Sequence, residues 1–251
     1  MSDNTTITEV LKELDIIIAE SIATNSRLGL FAYIYRRTTA EIASEIALGH
    51  FEDNKRMETF DVAFARLYLD AYKAYKNNGD VSAAWAYAFD YAEEPLTIVQ
   101  HIMLGMNAHI NLDLAVATAT TMIDREIRDI ENDFNKVNDI LFQITNELQD
   151  RLSRVSPLMF ILDVLGKNND ENVINFSMRK AREQSWNSAN LLWSLGQDHN
   201  ADAINNIDHV VRKLSERIKA PKTLTIRFLL KVIQKFEIKK VSVVLSKLSA
   251  D

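Results

Sequence analysis

Apolar residues recur every three or four positions along most of this chain, which is the spacing that places them on one face of an α-helix. The first such run follows Thr6-Ile-Thr-Glu9, a capping box that starts a helix, and continues through Leu11, Leu14 and Ile18. Later runs cover about residues 26–48, 57–76, 95–118, 121–152 and 172–195, with Pro157, Gly166 and Gly196 as separators and a last helix from Pro221. Together they predict an all-α, single-domain bundle of about nine or ten helices.

The predicted helix at about residues 95–118 differs from the others because its apolar residues lie on every side. A helix of this kind is buried at the centre of a bundle. Its middle nevertheless carries five polar side chains, which are His101, Asn107, His109, Asn111 and Asp113. Each would cost about 1–3 kcal/mol if it were buried without a partner. We therefore expect these groups to bind either a ligand or neighbouring helices.

The register of these polar residues predicts two strips. At 100° per residue, both histidines and Asp113 fall within an arc of about 120°, and Gly105 lies between the histidines, where it leaves room for a ligand or another helix. Asn107 and Asn111 form a second strip on the opposite side. Two interpretations stay open. In the functional one, the first strip lines a metal or substrate pocket. In the structural one, Asp113 fixes the tautomer of His109 and the asparagines join neighbouring helices.

A metal site on the first strip would need ligands from elsewhere in the chain. The candidate set is His101, His109 and Asp113 with a further carboxylate, either Glu58 or Asp133. Imidazole and carboxylate ligands suit a divalent metal such as zinc or iron. For the two additional carboxylates, the alternative is a capping role or an exposed acidic helix face.

A second source of ligand contacts is the segment around residue 182. Arg182 precedes Trp186 by one helical turn, and such a pair can clamp an anionic or planar ligand. The alternative is that Arg182 pairs with a carboxylate at the edge of the core.

Composition narrows the classes of function. The chain has no Cys, which excludes a disulfide framework, a thiol nucleophile and cysteine-ligated metal clusters. Its net charge of −6 argues against nucleic acid as a partner, because a nucleic-acid-binding protein carries a basic footprint. The sequence starts without the pattern of a signal peptide and has no apolar run of about 18 residues. We therefore expect a cytoplasmic protein without a transmembrane segment, and a homo-oligomer stays open.

The charge is unevenly distributed along the chain. Residues 222–251 hold seven Lys or Arg residues against Glu237 and Asp251, so the tail is basic although the whole chain is acidic. We predict an all-helical domain over residues 1–220 and a basic amphipathic helix over residues 221–251 that docks its apolar side on the same domain. A membrane surface or a protein partner is the alternative for this helix.

Motifs at residues 29–39, 49–61, 104–114, 133–138 and 181–186 carry a family resemblance. The most specific is Gly105-Met-Asn-Ala-His-Ile-Asn-Leu-Asp-Leu114. Together they resemble a largely bacterial family of all-helical proteins of unknown function, over most of residues 25–195. The resemblance implies the fold and no activity. A more distant resemblance, through His109-x-x-x-Asp113, is to helical zinc-dependent phospholipase C and single-strand nuclease proteins, whose N-terminal ligand and full set of metal histidines this chain lacks.

The sequence therefore supports one main hypothesis and one alternative. The main hypothesis is a small molecule bound in a buried polar pocket around His101, His109 and Asp113, with metal-dependent hydrolysis of an ester or phosphoester as its catalytic form. The candidate ligand-binding residues are His101, Asn107, His109, Asn111, Asp113, Arg182 and Trp186. The alternative is a structural or interaction protein whose buried polar network only ties helices together.

Overall fold

The computed structural model describes residues 6–156 and 173–249, and these ranges contain eleven α-helices and no β-strand. The predicted all-α class is confirmed, with a helix number close to the one expected. The helices are α1 (Ile7–Thr24), α2 (Leu28–Ala47), α3 (Asn54–Lys76), α4 (Ala83–Asp90), α5 (Ile98–Ala108), α6 (Leu114–Thr121), α7 (Glu131–Ser153), α8 (Val173–Leu195), α9 (Ala201–Lys219), α10 (Leu224–Phe236) and α11 (Val241–Ser249). Pro157 and Gly166, two of the predicted separators, lie outside the described residues.

A helical rod runs through the middle of the bundle and carries the polar strips. It consists of α5, a π-helical turn over His109–Asp113, and α6. The prediction started this helix at about Pro95, whereas the observed helix starts at Ile98, because Thr97 and Gln100 form a capping box. Within the rod, α5 contacts α2, α4 and α9, and α6 contacts α3 and α8. These five surrounding helices bury the rod.

The first two helices pack closely against each other along the apolar faces that the spacing predicts. The capping box at Thr6 is present, and the apolar face of α1 is buried through Val10, Leu14 and Ile17. A Cβ atom on Gly29 of α2 would lie 2.5 Å from the Cβ atom of Ser21. Glycine is therefore required at this crossing, and the close contact helps to position the rest of α2 against the rod.

The basic tail forms two helices rather than the single one predicted. The break lies at Glu237, whose carboxylate accepts hydrogen bonds from the Ile98 N–H at 2.9 Å and from the Ser156 hydroxyl at 2.6 Å. These bonds stop α10 and fasten the tail to the first turn of the central rod. Beyond the break, α11 contacts α1, α2 and α7 and buries four side chains. They are Val241, Val244, Leu245 and Leu248.

None of the helices in the described ranges combines the length and the apolar character that crossing a bilayer requires. The 23-residue helices α3, α7 and α8 are long enough, but charged side chains recur along each of them. The apolar face of α3, for example, packs inside the bundle through Phe60, Phe64 and Tyr68.

Candidate functional site

The centre of the site is a buried pair formed by His109 and Asp113. The Nδ1 atom of His109 lies 2.9 Å from Oδ2 of Asp113, and the indole N–H of Trp85 donates to the same oxygen at 2.9 Å. Burial lowers the pKa of His109 and raises the pKa of Asp113. The same Asp113 oxygen faces the Trp85 indole nitrogen and Nδ1 of His109, so it accepts a hydrogen bond from each. We therefore assign the imidazole proton to Nδ1, which leaves Nε2 of His109 as a hydrogen-bond acceptor.

A π-helical turn contains both members of this pair. The Leu114 N–H donates to the carbonyl of His109, five residues earlier, so the rod is wider here than in an α-helix. Single π-helical turns inside α-helices are rare and are frequent at functional sites. Regular helical periodicity gives no signal for such a turn, and the sequence analysis did not predict it.

Aromatic rings hold the imidazole of His109 in place. The Phe64 ring is stacked on it with ring centroids 3.7 Å apart, and the Tyr35 ring meets it edge-on at 4.3 Å. The rings of Phe31 and Trp85 lie farther away, at 5.7 and 6.1 Å. The Nε2 atom is buried, and it has no hydrogen-bond partner in the part of the chain that the structure describes. Its acceptor capacity is therefore unused by these residues.

His109 lines a cavity of about 110 Å³. The cavity walls are mainly aliphatic, methionine and phenylalanine side chains from α2, α3, α5, α7 and α8. Among the described residues that line it, the polar ones are Tyr35, Thr38, His109 and Arg182. Such a combination of apolar walls and a few convergent polar groups is typical of small-molecule sites.

An open groove of about 600 Å³ adjoins the cavity. Both spaces are lined by Met103, Met106, Ile110 and Met178, so these side chains form the wall between them. Methionine side chains are flexible. This wall is therefore the place where a small movement would connect the cavity with the outside.

A buried carboxylate outside the predicted set of site residues lies near Tyr35. Asp61 on α3 is buried, and its Oδ2 has no hydrogen-bond partner within residues 6–156 and 173–249. Burial raises the pKa of Asp61 to about 7. Burial also raises the pKa of Tyr35, and the nearby charge of Asp61 adds to this effect. Asp61 follows Phe60 on the apolar face of α3, which was the available signal for its burial.

His101 is separate from the pair. It precedes His109 by two helical turns, or roughly 12 Å along the axis, and is not among the described residues that line the cavity. Burial lowers its pKa to about 3, and the charge of Arg27 contributes in the same direction. The structure therefore gives the two histidines different surroundings, although they share a face of the rod.

The five residues predicted to hold a metal ion are not brought together. Asp133 accepts hydrogen bonds from the backbone N–H groups of Glu52 and Asp53 and from the Arg56 guanidinium, so it fastens the loop before α3. Glu58 lies half-buried on α3. Across both described ranges, no three His, Asp or Glu side chains form a group that could hold a metal ion. The described residues therefore do not form the expected zinc or iron site as a group, and the Asp133 carboxylate bonds to the loop before α3 and to Arg56 instead.

Asn107 joins the central rod to α9, as the structural interpretation expected of the asparagines, and Asn111 bonds to Asn107 within the rod. The Asn107 amide donates to the Val211 carbonyl and to the Ser215 hydroxyl of α9, both at 2.9 Å. Asn111 donates to the Asn107 side-chain oxygen at 3.0 Å. Both asparagines also border the open groove. Their polar atoms are therefore used mainly to hold α9 on the central rod.

Arg182 and Trp186 both contact Phe134 and do not form a clamp of their own. The Arg182 guanidinium lies 4.4 Å from the centroid of the Phe134 ring and donates to the Phe134 carbonyl and to the Asn138 side chain. The Trp186 ring lies 5.0 Å from the same ring, and Trp186 is not among the described cavity-lining residues. The structure therefore places Arg182 at the cavity and Trp186 behind Phe134.

Gly105 accommodates a neighbouring helix. A Cβ atom at this position would lie 2.4 Å from Cγ of Phe31, so only glycine lets the Phe31 ring rest against the rod. The sequence left open whether a ligand or a helix uses this space. The structure shows that α2 uses it.

The fold and the site together define a class, namely an all-helical protein whose central helix carries a buried histidine–aspartate pair beside an apolar cavity. The chain belongs to the family of unknown function DUF5995, whose family model matches residues 7–221. Searches of curated proteins and of solved structures found no match. The tail helices α10 and α11 lie beyond the matched residues.

Proposed function

We propose that this protein binds a small, largely apolar molecule in the cavity beside His109. The observation that carries the proposal is the buried Nε2 of His109, which has no partner among the described residues although the opposite nitrogen is held by Asp113. A buried acceptor without a partner is costly. A ligand that donates one hydrogen bond to Nε2 would remove this cost.

The size of the cavity limits the ligand. An engineered apolar cavity of about 150 Å³ holds benzene, and the space beside His109 is somewhat smaller, at about 110 Å³. The part of the ligand inside the cavity is therefore expected to hold no more than about six non-hydrogen atoms. Burial of its apolar surface supplies most of the affinity, at roughly 25 cal/mol per Å². The hydrogen bond to His109 orients it.

A cavity-filling variant tests the proposal with 1-hexanol as the probe. Val137 on α7 is buried and lines the cavity, so Val137→Phe places a ring in the ligand space. We expect saturable shifts of the Ile102 methyl resonances in the wild-type protein when 1-hexanol is added, and none in the variant. Val210→Phe is the matched control, because Val210 is 64% exposed on α9.

His109→Phe tests the hydrogen bond itself. It keeps an aromatic ring against Phe64 and removes the acceptor, so we expect the affinity for 1-hexanol to fall about fivefold. Circular dichroism and thermal melting show whether each variant is folded. If the wild-type protein gives no saturable response, the proposal is wrong, and the polar network then serves only to tie helices together.

A further inference from the structure

Arg182 is a buried cation that has no anionic partner among the residues that the structure describes. Its exposed fraction is 4%, and it makes no ion pair with any residue in the described ranges. Its hydrogen-bond partners are the Phe134 carbonyl and the Asn138 amide oxygen, and both are neutral. The Phe134 ring on one face of the guanidinium is neutral as well. A fully buried arginine is normally paired with a carboxylate.

The absence of a negative charge beside Arg182 among the described residues is important because this residue lies at the cavity. Burial lowers the pKa of Arg182 to about 9, so the group is still protonated at neutral pH. Its guanidinium has five donors, and the two hydrogen bonds described above use only part of this capacity. The same side chain lines the cavity beside His109. An anion inside the cavity would be desolvated and would meet an equally desolvated cation there.

We propose that the natural ligand is a small monocarboxylate, whose carboxylate pairs with Arg182 while its apolar body lies along Met178, Ile102 and Ile34. This inference rests on the proposed function, because it names the class of ligand for the same cavity. A planar guanidinium matches a carboxylate through two parallel hydrogen bonds. One cation neutralises one negative charge, which favours a monocarboxylate over a phosphate dianion.

The described residues that line the cavity favour a ligand with only one negatively charged end. Besides Arg182, the polar groups on the cavity are the hydroxyls of Tyr35 and Thr38 and the imidazole of His109. None of these carries a positive charge when His109 is neutral. The remaining lining is apolar, so a second negative charge would have no partner. A ligand with a hydroxyl group or another donor at its far end would also satisfy Nε2 of His109.

Three probes of equal chain length test the charge preference. Hexanoate, 1-hexanol and hexylamine share an alkyl chain and differ in the charge at one end. We expect isothermal titration at pH 7 to show that hexanoate binds the wild-type protein at least about tenfold more tightly than 1-hexanol. Hexylamine should bind more weakly than 1-hexanol, because its ammonium group would be buried in the same cavity as the Arg182 cation. This comparison requires no variant.

Variants at Arg182 separate this inference from the proposed function. We expect Arg182→Met to lose the preference for hexanoate and to keep the binding of 1-hexanol, whereas Arg182→Lys keeps part of the preference. Arg179→Met is the matched control, because Arg179 is exposed on the same helix. It should leave all three affinities unchanged.

The possible outcomes are distinguishable. If 1-hexanol and hexanoate bind the wild-type protein equally well, the monocarboxylate inference is wrong and small-molecule binding stands. The same conclusion follows if Arg182→Met is folded and still prefers hexanoate. If none of the probes binds the wild-type protein, both proposals are wrong. If Arg182→Met does not fold, the Arg182→Lys variant and the comparison of the three probes on the wild-type protein still test the monocarboxylate inference.

Discussion

At the scale of single residues, Asp61 shows how burial changes the chemistry of a carboxylate. Its side chain is 2% exposed, and burial raises its pKa to about 7. The folded protein therefore holds the Asp61 proton more tightly than the unfolded chain does. As the pH rises from about 4 to about 7, the unfolded chain releases this proton first, and the folded state loses stability. The loss is about 4 kcal/mol in total.

Asp61→Asn removes this titration. We expect the free energy of unfolding of the variant, relative to the wild-type protein, to rise by about 3 kcal/mol between pH 5 and pH 8. Urea unfolding at several pH values measures the difference, and the contributions of other titrating groups cancel in it. Asp129→Asn is the control, because Asp129 is exposed and its replacement leaves the buried Asp61 carboxylate in place. A constant difference for Asp61→Asn would show that this carboxylate is ionised in the folded state.

At the scale of helices, the contact between α2 and the central rod explains why a helix interior contains glycine. Alanine in place of Gly105 would favour the helix by about 1 kcal/mol. However, its Cβ atom would lie 2.4 Å from Cγ of Phe31. Overpacking of this kind costs about 1–3 kcal/mol, because the ring has to move within a packed core. Since Phe31 also borders His109 and the cavity, this movement would reach the site.

We therefore expect Gly105→Ala to lower the free energy of unfolding by up to about 2 kcal/mol. The double variant with Phe31→Leu should recover part of the loss, because the smaller side chain leaves room for the new methyl group. Urea unfolding of the wild-type protein, both single variants and the double variant gives the coupling energy. Simple additivity of the two single effects would contradict the contact as the reason for Gly105.

Local sequence signals account for the helices better than for the site. The capping box at Thr6 and the three- to four-residue apolar spacing are short-range features, so they predict where helices lie. The pairing of His109 with Asp113 also follows from their spacing. The cavity does not, because its walls come from five helices that are distant in the chain. The contact between Arg182 and the Phe134 ring could not be predicted either, because the two residues lie on different helices.

The same reasoning explains why spacing alone could not place a set of metal ligands. Asp133 has the residue type and the position on a polar helix that a metal ligand requires. Its carboxylate nevertheless accepts hydrogen bonds from two backbone N–H groups of the loop before α3 and from the Arg56 side chain on α3, which no pattern within α7 could reveal. A ligand set depends on which groups remain free after folding, and sequence spacing does not contain this information.

At the scale of the whole molecule, the two tail helices contain leucines that differ in how far they are buried. Leu248 on α11 is completely buried, and its carbonyl accepts hydrogen bonds from the Tyr33 hydroxyl and the Arg151 guanidinium. Leu224 on α10 is 77% exposed. The two leucines belong to the same basic tail, so they form a matched pair for measuring how much each helix contributes to the folded body.

Leu248→Ala should lower the free energy of unfolding by about 2–5 kcal/mol, because it leaves a cavity between α11 and the helices α1, α2 and α7. Leu224→Ala should change it by less than about 0.5 kcal/mol, since an exposed side chain loses few contacts. Urea unfolding monitored by tryptophan fluorescence gives both values. A large effect at Leu248 makes α11 an integral part of the core, although it lies outside residues 7–221. Equal, small effects at both positions would mean that the body of the protein holds together without the tail.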